Sequence, residues 1–205
     1  FSKIEAGKMV LENAPFNMKA FLQKVMAPFA APIAAKQLTL LIDVDENANL
    51  EVYGDEMRLI QVMNNLVANA IKFTEEGTIT IEVKSIANKS AQADIFIAVK
   101  DTGIGIAQNK MRQIFESFTQ ADIETTRKFG GTGLGLAISK KIVAQMGGNL
   151  QAESNVGIGS AFYFTLSFKI ARQQKSYVDE NKLKGLPSLE GIKVLLAEDN
   201  PINMI

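Results

Sequence analysis

Residues 56–73 repeat apolar and polar side chains with the period of a helix, giving a segment with two chemically distinct sides. At roughly 100° per residue, an apolar side typical of a core-facing helix collects Leu59, Ile60, Met63, Leu66, Val67, Ala70 and Ile71. Within an arc of roughly 80°, the other side collects Arg58, Gln61, Asn65, Asn69 and Lys72. Asp55 predicts an N-cap. The pattern predicts one long helix that packs on a core and presents neutral amides.

The two asparagines on this helix lie one turn apart. Both amide oxygens of Asn65 and Asn69 can therefore point at one hard cation, which takes oxygen ligands and keeps several waters. Lys72 lies a further turn along and can pair with phosphate oxygens. The alternative is an amphipathic helix with an ordinary polar side, which this segment alone does not exclude.

A carboxylate follows the apolar stretch 95–99. Asp101 precedes Gly103 and Gly105, and a carboxylate just inside a pocket can accept a hydrogen bond from an exocyclic amine such as adenine N6. The glycines let the backbone approach a ring without an intervening Cβ. An ordinary strand-to-loop turn is the alternative. A Rossmann fingerprint is excluded because Gln108 occupies the third glycine position.

A glycine-rich stretch leads into a predicted helix at 134–146. Its glycines are Gly130, Gly131, Gly133 and Gly135. Free N–H groups at a helix start, together with the helix dipole, form an anion site. The stretch lacks the Gly-Lys-Ser/Thr ending of a Walker A loop, which excludes ordinary P-loop chemistry. Arg127 and Lys128 add positive charge beside it, while a flexible hinge is the alternative interpretation.

The remaining pattern predicts a chain of mixed elements. Asn17 caps a predicted helix that runs to about Lys36 and is bent or shortened by its prolines. Strands are predicted at 38–44, 50–53, 78–84, 94–100, 150–154 and 160–168, and the strand at 94–100 is apolar enough to predict burial on both faces. The weak pattern over residues 102–132 predicts a long loop with at most a short helix near 110–115, and a loop of that length is typically functional or mobile.

Composition excludes several classes of function. The 205 residues include 22 Lys plus Arg and 22 Asp plus Glu, so no net field attracts nucleic acid or anionic lipid. Cysteine is absent, which excludes a disulfide framework and fits a cytoplasmic setting. No apolar run approaches the roughly 18 residues of a membrane span, so no membrane contact is expected. Histidine is also absent, which removes the commonest general base.

In order and spacing, these segments resemble the ATP-binding catalytic domain of sensor histidine kinases, in the family that includes gyrase, Hsp90 and MutL ATPases. Asn65, Asn69, Lys72 and Phe73 resemble its asparagine box, and Asp101, Gly103 and Gly105 its first glycine box. Phe115 and Phe118 resemble the phenylalanine box, with Ser117 where many members carry proline. The second glycine box is matched by Gly131, Gly133 and Gly135, and a final small-residue turn by residues 157–160.

The resemblance implies an α/β (α+β) Bergerat fold. This is a two-layer sandwich in which helices cover one face of a mixed β-sheet, with a mobile ATP lid at about 106–132. It implies ATP and Mg²⁺ as cofactors, Asn69 as principal metal ligand with Asn65 assisting, and Asp101 as the reader of adenine. The further nucleotide contacts it implies are Lys72, Phe73, Gly103, Gly105, Ile106, Phe115, Phe118, Arg127, Lys128, Gly130, Gly131, Thr132, Gly133, Leu134, Gly135 and Leu136.

One position separates kinases from hydrolases within this resemblance. ATP-hydrolysing relatives carry a glutamate where Asn65 stands, as general base for water. An amide cannot accept that proton, so phosphoryl transfer to a partner side chain is favoured. A nucleotide-sensing interaction module without transfer is a second hypothesis, and an ATPase is a third, disfavoured by Asn65.

The ends of the chain complete the predicted organisation. Residues 1–12 resemble the tail of a dimerising, histidine-bearing helical hairpin, 13–170 the catalytic domain, 171–190 a linker, and 191–205 the first strand of a receiver domain. This implies a hybrid sensor kinase whose partners are a histidine-bearing domain and a receiver domain in the same or another chain, and a response regulator or phosphotransfer protein. The full-length protein could be anchored in the inner or plasma membrane.

Overall fold

This computed structural model describes residues 10–89, 91–116 and 133–171 of the chain. These residues form one sheet of seven strands, together with four helices. The strands are β1 Ala14–Asn17, β2 Thr39–Val44, β3 Glu51–Gly54, β4 Thr78–Lys89, β5 Gln92–Asp101, β6 Gln151–Asn155 and β7 Gly159–Ile170. The helices are α1 Met18–Met26, α2 Ala30–Ala35, α3 Glu56–Phe73 and α4 Gly135–Gln145. Short 3-10 turns occupy Ala27–Phe29, Glu46–Ala48, Gln108–Lys110 and Gln113–Phe115.

The sheet is mixed. Its order is β1-β3-β7-β5-β4-β2, and β6 pairs with the start of β7. β2 runs parallel to β4, with Ile42 opposite Ile81, whereas the other described pairs are antiparallel. The long hairpin of β4 and β5 and the return strand β7 form the centre. In this register Asp101 lies opposite Ile79 on one side and Ser160 on the other.

The helices lie against one face of this sheet, here called the covered face. Alternate residues of the central strands point into it, and all are buried: Ile79, Ile81, Val83, Ile95, Ile97, Val99, Phe162, Phe164, Leu166 and Phe168. α3 packs on them with Leu59, Val62, Met63, Leu66, Val67, Ala70 and Ile71. The opposite, open face carries Glu82, Lys84, Phe96, Lys100 and Tyr163. The predicted two-layer sandwich is therefore confirmed.

Local capping explains where the main helices begin. The Asn17 side chain accepts a hydrogen bond from the Ala20 N–H at 3.0 Å and starts α1. At α3, Asp55 Oδ1 accepts from the Arg58 N–H at 2.9 Å, and its Oδ2 accepts from the Glu12 N–H at 3.0 Å. Both caps were predicted, because a side-chain oxygen that satisfies free N–H groups is a local sequence signal.

The prolines interrupt the first predicted helix, as expected: a 3-10 turn over Ala27–Phe29, which contains Pro28, divides the segment from Asn17 to Lys36. Two differences from the sequence analysis remain. Strand β1 was not predicted. Burial of β5 on both faces is wrong, since Phe96 is partly exposed and Lys100 exposed on the open face, which no helix covers among the described residues.

The predicted domain boundaries stay predictions. The hairpin tail proposed for 1–12 is described from Val10 onwards, and the catalytic domain proposed for 13–170 spans β1 to β7. Beyond Ala171, the predicted linker and receiver strand lie outside the described residues. Within the described ranges, no helix combines the length and apolar character that crossing a membrane requires.

Candidate nucleotide-binding site

The polar side of α3 meets the start of α4. Asn65 donates from Nδ2 to Ser139 Oγ at 3.0 Å, and Ser139 is 2% exposed. This contact fixes the orientation of the Asn65 amide. A Cβ atom at Gly135 would lie 2.0 Å from Asn65 Oδ1, so any larger residue there would displace the Asn65 amide from its present position. The structure therefore brings together the asparagine helix and the end of the glycine stretch.

The first residues of α4 supply backbone donors beside Asn65. Gly133 has φ +67°, a left-handed conformation that favours glycine, and α4 begins at Gly135. The first four N–H groups of a helix lack intrahelical partners and attract anions. Leu134 and Leu136 flank this start and are partly buried. The other predicted members of the glycine stretch, Gly130, Gly131 and Thr132, lie outside the described residues, as do Phe118, Arg127 and Lys128.

The carboxyl end of α3 is joined to the loop after β5. The Phe73 carbonyl accepts a hydrogen bond from the Ile104 N–H at 3.2 Å. A Cβ at Gly103 would lie 2.3 Å from the same carbonyl oxygen, which explains the glycine. Lys72 Nζ lies 4.7 Å from the centroid of the Phe73 ring, and burial lowers the pKa of Lys72.

Asp101 ends β5 where this loop begins. Its Oδ1 accepts from the Gly103 N–H at 2.9 Å, and the Ser160 N–H is a second donor to the carboxylate. Both bonds favour the charged form, yet burial has the larger effect and raises the pKa of Asp101. Gly159, with φ +131°, lets β7 approach, because a Cβ there would lie 1.9 Å from the Asp101 carbonyl oxygen. A carboxylate with spare acceptor capacity therefore lies in a partly desolvated position.

A buried serine, which the sequence analysis missed, anchors the loop after Asp101. Ser154 Oγ accepts from the Ile106 N–H at 2.8 Å and donates to the Gly159 carbonyl at 2.7 Å. Gly105, with φ +69°, passes so close to β6 that a Cβ would lie 2.0 Å from the Asn155 carbonyl oxygen. Ser154 and Ser139 are buried polar residues within otherwise ordinary elements, so the sequence carries no motif for either.

Phe115, predicted to contact nucleotide, is anchored in the protein. Its ring meets Phe162 edge-to-face at 6.4 Å between centroids. Lys140 Nζ of α4 lies 4.7 Å from the Phe115 ring centroid. These contacts join the segment after the first glycine pair to the core and to α4. A nucleotide contact by Phe115 stays a prediction.

Asn69 lies one turn beyond Asn65 on α3 and is partly buried. No group of three or more His, Cys, Asp or Glu side chains suited to a metal occurs in the described ranges. A cleft of about 540 Å³ beside the amino-terminal half of α3 is lined by Asp55, Arg58 and Asn64, among others, but not by Asn69 or Asp101. The converging polar groups, rather than this cleft, therefore define the candidate site.

The same region of the chain matches a known family model. Residues 54–170 match the model described as "Histidine kinase-, DNA gyrase B-, and HSP90-like ATPase". The chain belongs to this ATPase family. Membership confirms the resemblance given by the sequence motifs and supports ATP as the ligand of the site.

Named relatives of this ATPase family point to sensor kinases. The sensor protein GacS of Pseudomonas syringae pv. syringae is 46% identical over 175 residues, which cover 85% of this chain and 19% of GacS. The signal transduction histidine-protein kinase BarA of Escherichia coli K12 is 41% identical over 83% of this chain and 18% of BarA. The chain thus spans about a fifth of the length of these relatives.

Solved structures share the fold. Full-length ShkA in complex with AMPPNP matches with a TM-score of 0.70 and 30% identity, over 83% of this chain and 34% of ShkA. The catalytic domain of histidine kinase ThkA matches with a TM-score of 0.61 and 28% identity, over 76% of this chain and 95% of that domain. The predicted histidine kinase catalytic-domain fold is confirmed by these matches.

Proposed function

We propose that this chain binds ATP with Mg²⁺ and transfers the γ-phosphoryl group to a histidine on a dimerisation domain, in two-component phosphorelay signalling. The observation that carries the proposal is the convergence of three segments. α3 touches the start of α4 through Asn65 and Gly135, and touches the loop after Asp101 through Phe73 and Ile104. These are the segments that must surround one nucleotide.

Each segment has a chemical role in this proposal. Asp101 accepts a hydrogen bond from the adenine amino group, for which its carboxylate keeps acceptor capacity beyond the two N–H bonds. The N–H groups at the start of α4 and the ammonium of Lys72 face the phosphates. Partial burial of Lys72 strengthens its attraction to an anion, because screening by water is reduced.

The amide oxygens of Asn69 and Asn65 fit the binding of Mg²⁺. A hard cation of this kind is bound through few protein oxygens plus phosphates and waters, rather than by an all-protein cage. The Ser139 contact uses Nδ2 of the Asn65 amide. Oδ1, which lies beside Gly135 at the start of α4, is the atom that would bind the metal. When bound, the metal would neutralise phosphate charge.

Transfer rather than hydrolysis is favoured because α3 offers an amide at position 65. Asn65 cannot accept a proton from water, so it cannot activate water as a general base. In the transfer, a histidine nitrogen forms a bond to the γ-phosphorus while the bond to the β–γ bridging oxygen breaks and ADP leaves. This step needs positioning and charge neutralisation more than covalent help from the protein. Histidine is absent from this chain, so the acceptor must lie on another segment or protein.

The proposed partners are inferred from the names of the similar proteins. GacS and BarA carry the names of a sensor protein and a signal transduction histidine-protein kinase. By this likeness we propose a histidine-bearing dimerisation domain, a receiver domain and a downstream regulator or phosphotransfer protein as partners. Neutral overall charge gives no reason to include nucleic acid.

The test is calorimetric titration with a non-hydrolysable ATP analogue, with and without Mg²⁺, on the wild type and Asp101→Ala. We expect Mg²⁺-dependent binding that the variant loses while it keeps its fold by circular dichroism. Addition of a histidine-bearing hairpin and labelled ATP then tests the transfer. Binding without transfer would support a nucleotide-sensing module instead, and steady phosphate release would support an ATPase.

A further inference from the structure

The carboxyl end of α3 is capped by a lysine from a distant part of the chain. Lys36 Nζ lies 2.6 Å from the Ile71 carbonyl oxygen, 3.0 Å from that of Thr74 and 3.4 Å from that of Lys72. The last carbonyls of a helix have no intrahelical partner. A cation at this end also interacts favourably with the helix dipole. One ammonium group therefore satisfies three carbonyls at this helix end.

The neighbouring carbonyls at this end are also bonded. The Ala70 carbonyl accepts from the Thr74 N–H at 3.1 Å and from Thr74 Oγ1 at 2.7 Å. The Phe73 carbonyl accepts from the Ile104 N–H at 3.2 Å. Each carbonyl from Ala70 to Thr74 thus has a donor, and Lys36 serves those of Ile71, Lys72 and Thr74. The last turn of α3 is held as a unit.

The turn that presents Lys36 is itself constrained. Lys36 follows α2, and the next residue, Gln37, has φ +55°, a left-handed conformation that is costly for a non-glycine residue. Two hydrogen bonds hold the turn: the Gln37 N–H donates to the Ala34 carbonyl at 3.0 Å, and the Leu38 N–H to the Ile33 carbonyl at 3.1 Å. The position from which Lys36 reaches α3 is therefore fixed by the fold.

We propose that Lys36 is a positioning residue of the nucleotide site. It fixes the turn of α3 that carries Lys72, and the same turn holds the loop after Asp101 through the Phe73 carbonyl. Its contacts therefore fix the positions of Lys72, which faces the phosphates in the proposed function, and of the loop after Asp101, which faces adenine. The proposal rests on the nucleotide-binding function proposed above.

A second lysine offers a matched control at the other end of the same helix. Lys24 Nζ lies 2.9 and 2.8 Å from the two carboxylate oxygens of Glu56, in the first turn of α3. Both lysines join α3 to the α1–α2 region. Lys24 binds a side chain far from Lys72, whereas Lys36 binds the backbone beside it.

The experiment compares Lys36→Met, Lys36→Arg and Lys24→Met in the 205-residue chain. Affinity for AMPPNP with Mg²⁺ is measured by calorimetry, amide hydrogen exchange at Thr74 and Ile104 by NMR, and unfolding by thermal melting. We expect Lys36→Met to weaken binding roughly tenfold and to speed exchange at both amides. We expect Lys36→Arg to restore most of the affinity, since guanidinium keeps the charge and several N–H donors, and Lys24→Met to bind like the wild type.

The outcomes separate the two proposals. A folded wild type that fails to bind AMPPNP would overturn the nucleotide-binding function itself. Wild-type binding that Lys36→Met retains, with unchanged exchange at Thr74 and Ile104, would overturn only the positioning role. Equal losses of affinity in Lys36→Met and Lys24→Met, each in proportion to lost thermal stability, would likewise reduce Lys36 to a general structural contact.

Discussion

Two carboxylates on neighbouring strands of the sheet, one on each face, have opposite surroundings. Glu82 of β4 lies on the open face, where Lys100 Nζ is 2.6 Å from Oε2 and Lys84 also bonds to the carboxylate. Those hydrogen bonds, first from Lys100 and then from Lys84, lower the pKa of Glu82. Asp101 of β5 lies on the covered face, with backbone N–H donors, and burial raises its pKa.

Under the proposed function, this contrast separates a carboxylate that stabilises the sheet from one that binds ligand. Cations use the acceptor capacity of Glu82, so its charge is satisfied within the protein. The donors to Asp101 are the N–H groups of Gly103 and Ser160, which leave oxygen lone pairs for a ligand. A carboxylate whose pKa is raised by burial at the end of a strand is a candidate for function. Glu82 is also buried, at 7% exposure, but its charge is paired with two lysines, so it serves the fold.

The largest effect is expected from replacing each of the two carboxylates by its amide. Asp101→Asn places an amide donor where a carboxylate accepts, and we expect AMPPNP affinity to fall about a hundredfold. Glu82→Gln, an equivalent change on the open face, should leave affinity unchanged and cost about 2 kcal/mol of unfolding free energy, because it removes the charge of a buried carboxylate bonded to two lysines. Calorimetry measures the AMPPNP affinity of both variants, and chemical denaturation measures their unfolding free energies. Equal effects of the two changes on binding would remove the distinction.

A smaller effect is expected from two serine hydroxyls, one on helix α4 over the covered face and one on the open face of the sheet. Ser139→Ala removes the acceptor that orients the Asn65 amide, so Mg²⁺-dependent affinity should fall roughly fivefold. Ser167→Ala removes a hydroxyl that bonds to Asp94 on the open face and should bind nucleotide like the wild type. Titrations with and without Mg²⁺ measure both. Unchanged affinity in Ser139→Ala would show that Asn65 does not depend on this contact.

The pH dependence of stability should have opposite signs at the two carboxylates. The folded-state pKa of Asp101 is raised, so its contribution to stability is present at low pH and is lost as pH rises through that pKa. The folded-state pKa of Glu82 is lowered, so its contribution is present above the unfolded-state pKa and is lost as pH falls through the folded-state value.

Denaturation of the wild type, Asp101→Asn and Glu82→Gln across the acidic range measures these contributions. As pH falls, the wild type should gain stability relative to Asp101→Asn and lose it relative to Glu82→Gln. Slopes of the same sign for both pairs would contradict the assigned surroundings.

The smallest effect is expected from Tyr163 on the open face. Its hydroxyl donates to the Glu153 carboxylate at 2.7 Å, and this hydrogen bond raises the pKa of Tyr163. Tyr163→Phe removes an exposed bond, so we expect a change below about 0.5 kcal/mol in unfolding free energy and no change in AMPPNP affinity. A measurable loss of affinity would show that the open face takes part in binding.

The sequence predicted those features whose causes are local. The bounds of α3 follow from the Asp55 cap and from an apolar period that continues to Ile71, and both can be read within one segment. The asparagines, Asp101 and the glycine at 135 belong to motifs in which the chemistry and the backbone requirement occur together. For these residues, the structure adds the distances, and their roles in binding stay predictions.

Features that depend on distant contacts were missed. Lys36 and Ile71 are 35 positions apart, and Asn65 and Ser139 are 74 apart, so no local pattern marks either contact. β1 is a short edge strand that contains Pro15, and its pairing with β3 is decided by tertiary contacts. The prediction that β5 is buried on both faces failed because composition does not show which face the helices cover.

The close approach of Asn65 and Gly135 has a consequence for how this chain can vary. A Cβ at position 135 would fall 2.0 Å from Asn65 Oδ1, so any side chain there must displace the Asn65 amide or separate the two helices. Under the proposed function that amide belongs to the metal site, so variation at position 135 is coupled to the chemistry at position 65.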